Sequence, residues 1–402
     1  NGIKKVNGKN LTADQKKALA GKTEFKLERA EVTDGKTGEF AEIEKAVLTE
    51  NGTFSFTTQN YTEADIDKTY VYRISEVKVD AAGYGLDSTV YSYFVSISDN
   101  GDGTLNVEAK DESGKLVESP IGVIFDNGYE AAGSLNLTAE KSLTGKDLVA
   151  GAYSFTLSDK EHEVLQTKTN DKDGKVTFDA INYTLGDIGT HTYQVSEVKG
   201  SENGVTYDET IYTVEVTVSD NGDGTLKVEK QITAAVKAED GKESEVKPAE
   251  KLLFHNEYKA SGNLQLTATK ILSGKTLEAD KYTFNLLDKD GKVLQTKKNA
   301  ADGSVTFDPI SYKLGDAGKD FTYTVEEAKG EESGVSYDSS KYTVVAHVTD
   351  NGDGSLSVTT EVTKVTKAAK ETAKTDEAEK VNAIVFNNKY EATGSLDLTA
   401  EK

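Results

Sequence analysis

Residues 212–226 read YTVEVTVSDNGDGTL, and this stretch decides the fold class. Tyr212, Val214, Val216 and Val218 alternate with Thr213, Glu215 and Thr217, the period of a half-buried antiparallel strand. Asn221-Gly222 then demands positive φ, which suits the tight turn of a hairpin. The same alternation marks YSFTL at 153–157, VTF at 176–178 and YQVSE at 193–197.

Moving outward, the turn recurs as DNGDGTL at 99–105 and DNGDGSL at 350–356. LTAEK ends at Lys141 and again at Lys402, and LTATK ends at Lys270. FDNGY, FHNEY and FNNKY place asparagines at 127, 256 and 388. Lysine and asparagine series both step by 129 and then 132 residues (270 − 141, 402 − 270; 256 − 127, 388 − 256). The chain is therefore a repeat of about 130 residues. KKVNGKNL at 4–11 aligns with KSLTGKDL at 141–148, so Lys4 corresponds to Lys141.

Roughly seven short strands per unit point to an immunoglobulin-like β-sandwich. The expected architecture is all-β: tandem sandwiches at 1–130, 131–260 and 261–391, with 392–402 as the opening strand of a fourth. Residues 230–251 and 360–382 are rich in Lys, Glu and Ala and read as exposed loops, with a short helical piece in KAAKETAK at 367–374. Each closing asparagine lies 14 residues before the next opening lysine (141 − 127, 270 − 256, 402 − 388). That length spans at most ~50 Å, and it holds no Gly/Ser or Pro linker, so the units should stack as a stiff rod. Asn1 in place of an initiating Met, and a terminal Lys402 that repeats the opening lysine, suggest a piece of a longer array.

Composition excludes several function classes. The 402 residues carry 47 Lys+Arg against 69 Asp+Glu, a net charge of −22, with no Cys, Met or Trp. Disulfides, thiolate metal sites and cysteine nucleophiles are ruled out. An acidic surface repels nucleic acid and anionic lipid. No apolar run approaches the ~20 residues of a membrane span, and no signal-peptide pattern is present. DNGDG resembles a calcium loop only superficially: the ligand alternation is missing, and the twelfth position from Asp99 is Lys110. His162, His191, His255 and His347 fall at different points of the repeat, so no metal or cofactor is expected. No recurring carboxylate pair or nucleophile motif argues for an enzyme.

Strand parity turns one charged or amide residue per motif inward. Leu135, Leu137, Ala139, Lys141 and Leu143 share a face, as do Leu264, Leu266, Ala268, Lys270 and Leu272. Asn256 shares a face with Phe254 and Tyr258, and Asn388 with Phe386 and Tyr390. Glu197 follows Tyr193 and Val195, and Glu327 follows Tyr323 and Val325. Lys5, Glu326 and Asn387 lie one position away, on the opposite face. Burying unpaired charge is costly, so three such residues aimed into one core need a reason. Singly, each has an ordinary reading: a snorkelling strand-end lysine, a capping asparagine.

The TAEK/TATK opening, Y-x-V-x-E middle and F-x-N-x-Y close resemble the isopeptide-linkage domains of Gram-positive pilins, the streptococcal backbone pilins of T-antigen character. The resemblance covers all three units. It implies an immunoglobulin-like fold and an intramolecular bond between lysine amine and asparagine amide, assisted by glutamate, with loss of ammonia. Carried over, the pairs are Lys4–Asn127 with Glu76, Lys141–Asn256 with Glu197, and Lys270–Asn388 with Glu327; Lys402 is left unpaired. Such chemistry needs a neutral lysine and a glutamic acid that keeps its proton to donate to the amide oxygen, and burial favours both. Unit one departs from the pattern, with 72 residues from lysine to glutamate against 56 and 57 (76 − 4, 197 − 141, 327 − 270).

The expected role is a structural stalk of an extracellular, cell-wall-anchored adhesin or pilus, stabilised against pulling and proteolysis and reacting once per domain without turnover. Its partners would be neighbouring repeats of one fibre, with strand exchange between chains through 394–402. The alternatives are a sortase-polymerised backbone pilin, whose LPxTG-type motif this sequence lacks, and a module that binds host glycan or protein.

Overall fold

A computed structural model of the chain describes residues 1–236, 245–366 and 377–399. Three units follow one another, each with two main β-sheets packed face to face; units two and three add a two-stranded ribbon, Ala132–Leu135 with Ile181–Thr184 and Ser261–Leu264 with Ile310–Lys313. In unit two one sheet sets Lys175–Thr177, Thr138–Thr144, Leu252–Tyr258 and Val205–Thr206 side by side. The other has six strands in the order Val164–Thr169, Ser154–Asp159, Gly189–Glu197, Ile211–Asp220, Leu226–Val236, Glu245–Ala249. Unit three repeats both sheets in the same order. The layers meet through apolar side chains, with the Phe155 and Phe254 rings 5.0 Å apart and Phe284 and Phe386 5.2 Å apart. Alternation in YTVEVTV is realised directly: Tyr212, Val214, Val216 and Val218 are buried between more exposed neighbours.

The opening and closing strands of each unit are neighbours and run parallel. Lys141 pairs with Phe254, Lys270 with Phe386 and Lys4 with Phe125. A parallel pair needs a crossover, and here nearly the whole unit is that crossover. Lysine and asparagine thereby come to adjacent strands from opposite ends of the unit's sequence.

Two expectations are corrected. The described residues of segments 230–251 and 360–382 are mostly strand rather than loop: Leu226–Val236 pairs with Glu245–Ala249, and Leu356–Thr366 with Glu377–Val381. These strands close one edge of the sheet, where Ile232, Ala234, Val362 and Val381 rest partly buried on the core while their Lys and Glu neighbours stay in water. The helical reading of 367–374 lies outside the described residues, as does Lys402. Unit one also contains a helix that the period-2 reading did not place, Ala13–Leu19, capped by Thr12, whose hydroxyl accepts from the Gln15 amide at 3.2 Å. The helix explains part of the long lysine-to-glutamate spacing. Of the 16 extra residues (72 against 56), 7 precede Phe25, 8 lie in a longer hairpin where Phe25 faces Ala46 and Phe155 faces Lys168, and 1 follows.

The DNGDG turn serves the joints as well as the hairpin. The Tyr129 hydroxyl donates to Asp220 at 2.8 Å and accepts from the Gly224 amide at 3.2 Å. Tyr258 repeats this with Asp350 at 2.8 Å and Gly354 at 3.1 Å. Gly224 has φ +82, and its Cα lies 2.7 Å from where a side chain on Gly83 would begin, so both turns of chain need glycine there. No helix among the described residues is long and apolar enough to cross a membrane.

Candidate functional site

Each unit buries one lysine, one glutamate and one asparagine in a single cluster. Three strands supply them: the opening strand, the closing strand parallel to it, and a strand of the facing sheet, which ends on Glu197 or Glu327 in units two and three and carries Glu76 within Thr69–Val79 in unit one. Glu197 sits opposite Phe155 in the ladder, Glu327 opposite Phe284 and Glu76 opposite Phe25, so the carboxylates enter beside the aromatic layer. All three lysine and glutamate side chains are fully shielded from solvent.

In unit two the Lys141 ammonium nitrogen lies 2.8 Å from Glu197 Oε2, and Asn256 Nδ2 donates to Glu197 Oε1 at 2.7 Å. Unit three matches it, with Lys270 to Glu327 Oε2 at 2.8 Å and Asn388 Nδ2 to Oε1 at 2.7 Å. In unit one Lys4 meets Glu76 Oε2 at 2.6 Å and Asn127 Nδ2 donates to Oε1 at 2.8 Å. One carboxylate thus bridges the amine and the amide nitrogen in every unit. Among the described residues no buried side-chain polar atom lacks a partner.

Burial dominates the electrostatics. It lowers the pKa of Lys4, Lys141 and Lys270, against the opposing pull of the adjacent carboxylate. Burial likewise raises Glu76, Glu197 and Glu327, against the hydrogen bonds from lysine and asparagine. Both partners are pushed towards neutrality, the state in which an amine is nucleophilic and a carboxylic acid can give up a proton.

The neighbours one position away face elsewhere. Lys5 is half-buried, Asn387 is exposed, and Glu326 pairs with Lys341 at 2.5 Å. The histidines stay apart and make separate hydrogen bonds, for example His162 with Gln194 and His347 with Asp320. No group of three potential ligands that would hold a metal occurs among the described residues.

Two kinds of neighbour escaped the sequence reading. Tyr153 and Tyr282 place their rings 4.8 Å from the lysine nitrogen in units two and three. Asp208 and Asp338 supply the second kind. The Asp208 amide donates to Asn256 Oδ1 at 2.8 Å, and the Asp338 amide donates to Asn388 Oδ1 at 2.7 Å. The expected arrangement had the glutamic acid donating to that oxygen; here the carboxylate faces the two nitrogens and a loop covers the oxygen. A D-x-[S/T] pattern at Asp87, Asp208 and Asp338 was the available signal, since it marks an Asx turn.

A family model for FctA, described as a Spy0128-like isopeptide containing domain, matches residues 4–130, 137–259 and 266–391. Among solved structures, the Bacillus anthracis TIE protein is 13% identical, with 85% of this chain and 46% of that one covered and a TM-score of 0.18. The chain thus spans less than half the length of that protein. The major pilin T3.2 of Streptococcus pyogenes is 18% identical over 65% of this chain and 100% of that one, at a TM-score of 0.21. A C-terminal fragment of the pilus adhesin SpaC of Lactobacillus rhamnosus GG is 15% identical over 98% of both chains, at 0.23. No curated protein sequence matches the chain.

Proposed function

The chain belongs to the family of Spy0128-like isopeptide-containing domains, in three successive copies, and from that premise we propose that each unit welds itself once. The bonds join Lys4 to Asn127, Lys141 to Asn256 and Lys270 to Asn388, with Glu76, Glu197 and Glu327 as proton shuttles. The units are taken as 1–130, 131–260 and 261–391. The observation that carries the reading is the bridging carboxylate: in each core one glutamate touches both the lysine nitrogen and the asparagine Nδ2.

The chemistry follows from those contacts. The lysine ammonium passes a proton to Oε2 and becomes a free amine. The amine attacks the asparagine Cγ, and packing supplies the proximity that would otherwise dominate the barrier. The carboxylic acid so formed turns its O–H to Nδ2 and hands on the proton, the Cγ–Nδ2 bond breaks, and ammonia leaves. The carboxylate then takes a second proton from Nζ, which leaves a neutral secondary amide. Nothing is regenerated for a second round, so this is maturation rather than turnover.

The proposed role is a stalk of an extracellular, wall-anchored adhesin or pilus. Opening and closing strands are adjacent and parallel, so a bond between them carries tension across the unit and leaves the 114 intervening residues, 142–255, unloaded. The next unit follows through a joint held by Tyr129 or Tyr258. Tryptic digestion tests the bonds: branched peptides that join the Lys141 and Asn256 segments are expected, and their absence from folded protein refutes the pairing. Single-molecule pulling tests the role. A chain that extends only at its joints fits a stalk, and one that unravels each unit to full length does not.

A further inference from the structure

The asparagine carbonyl needs an electrophilic partner that the glutamate does not supply. When Nζ adds to Cγ, the π electrons move onto Oδ1, and an oxyanion buried among phenylalanines requires a donor aimed at it. In unit two that oxygen accepts from one backbone amide, Asp208 N at 2.8 Å; in unit three it accepts from Asp338 N at 2.7 Å.

The loop that presents this amide is braced at both carboxylate oxygens. Asp208 Oδ2 accepts from the His255 amide, next to Asn256 on the closing strand, at 2.8 Å, and Oδ1 accepts from the Thr210 amide at 2.9 Å. Asp338 does the same with Asn387 at 2.8 Å and Ser340 at 2.9 Å. Strand and loop are therefore clamped together, and the asparagine cannot shift without carrying its donor along.

We propose that the backbone N–H of Asp208 and of Asp338 is a one-donor oxyanion hole for isopeptide formation, and that the aspartate carboxylates are positioning groups that hold it on the amide oxygen. This rests on the condensation proposed above. The balance is complete without any added reagent: Nζ–Cγ forms, Cγ–Nδ2 breaks, the electron pair held on Oδ1 returns to the carbonyl, and ammonia departs with the proton relayed by Glu197.

Unit one is the natural contrast. Asp87 is braced in the same way, by the Asp126 amide at 2.6 Å and the Thr89 amide at 2.9 Å. Its own N–H faces Glu76 Oε1 at 3.5 Å, while Asn127 Oδ1 is turned to the Lys4 ammonium. The carbonyl there lacks the backbone donor, and bond formation in unit one should lag the other two.

The test uses the whole chain made by cell-free synthesis, acid-quenched at intervals and mapped unit by unit for loss of ammonia. An α-hydroxy analogue of aspartate at position 208 replaces the N–H by an ester oxygen and keeps the carboxylate clamp. Loss of one oxyanion donor should slow unit two on the order of 10²-fold, with unit three as the internal clock. An ester at position 221, which removes the turn bond from Asn221 to Thr225, should leave the rate unchanged and so separates general backbone weakening from a role at the oxygen. Equal rates for the two esters, or unit one keeping pace with units two and three, would overturn the proposal while leaving the cross-links themselves in place. Absence of ammonia loss from the unsubstituted chain would instead remove the condensation on which it rests.

Discussion

Unit one and units two and three hold the same three reacting side chains in different surroundings. Gly2 of unit one lies against the Phe54 ring, where an added Cβ would come within 2.0 Å. The equivalent pair is Ala139 with Val176 in unit two and Ala268 with Val305 in unit three, all buried. Buried Asn170 accepts from the Tyr153 amide at 2.9 Å, and Asn299 accepts from Tyr282 at 2.8 Å. Unit one has Leu48 and Thr23 at those places and fills the region with Leu19 of its helix, which is fully buried. The core accepts such exchanges because the space stays filled and no buried polar side-chain atom among the described residues is left without a partner. What does not vary is the phenylalanine beside each lysine and the carboxylate between lysine and asparagine.

The largest effect separates linked from unlinked units. Glu197→Ala should leave unit two uncrosslinked and cost it about 4–5 kcal/mol on the loop-closure model, and Glu76→Ala should cost unit one a similar amount despite its different packing. Denaturant titration of each variant measures this. A Glu76→Ala chain as stable as the parent would mean that unit one never forms its bond, which breaks the equivalence.

Next comes the pH dependence of bond formation. The rate should fall on the acid side as the lysine becomes protonated and on the alkaline side as the glutamic acid ionises. Burial lowers the lysine below its usual 10.5 and raises the glutamate above its usual 4.5, so both limbs move inward and leave a bell. Beyond either limb the rate should change about tenfold per pH unit. A quenched time course across pH gives the profile, and a rate that only rises towards pH 10 would contradict neutralisation of the pair.

Smaller still is the exchange at Gly2. Gly2→Ala alone should destabilise unit one by about 1–3 kcal/mol through overpacking against Phe54. Adding Phe54→Val, which recreates the pairing of unit two, should recover part of that loss. Thermal melts of the two singles and the double give the coupling; strictly additive effects would mean that the two residues do not share the space.

The smallest expected effect concerns the joints, which are alike even though the units are not. Tyr129→Phe and Tyr258→Phe each remove a hydroxyl bonded to aspartate and to a glycine amide, at about 1 kcal/mol apiece. Small-angle scattering should show both variants bending more than the parent and to the same degree. Unequal bending would mean that the first joint depends on features peculiar to unit one.

Much of this was legible in the sequence. Period-2 alternation and the thrice-repeated turn reveal strands, hairpins and units, because one buried face imposes its period on the side chains. Parity also picks Lys4 over Lys5, Glu327 over Glu326 and Asn388 over Asn387. The parallel neighbourhood of first and last strands was not legible, since it joins residues more than a hundred positions apart. The edge strands at 226–236, 245–249, 356–366 and 377–381 were missed because their Lys and Glu content outweighs the few partly buried residues, such as Ile232, Ala234, Val362 and Val381, that pack on the core. The Asp208 amide was hidden for another reason: a backbone donor leaves no residue signature, and only the Asx-turn pattern around it does. In unit one, Thr12 and Gln15 form a capping box, a local sign of the helix that a search for strands passes over.

The most direct test of the central claim is the intact mass of the folded, purified chain. The expected mass lies below that of the sequence by three molecules of ammonia, and by two when Glu197→Ala disables unit two alone. A mass equal to that of the unmodified sequence would contradict it.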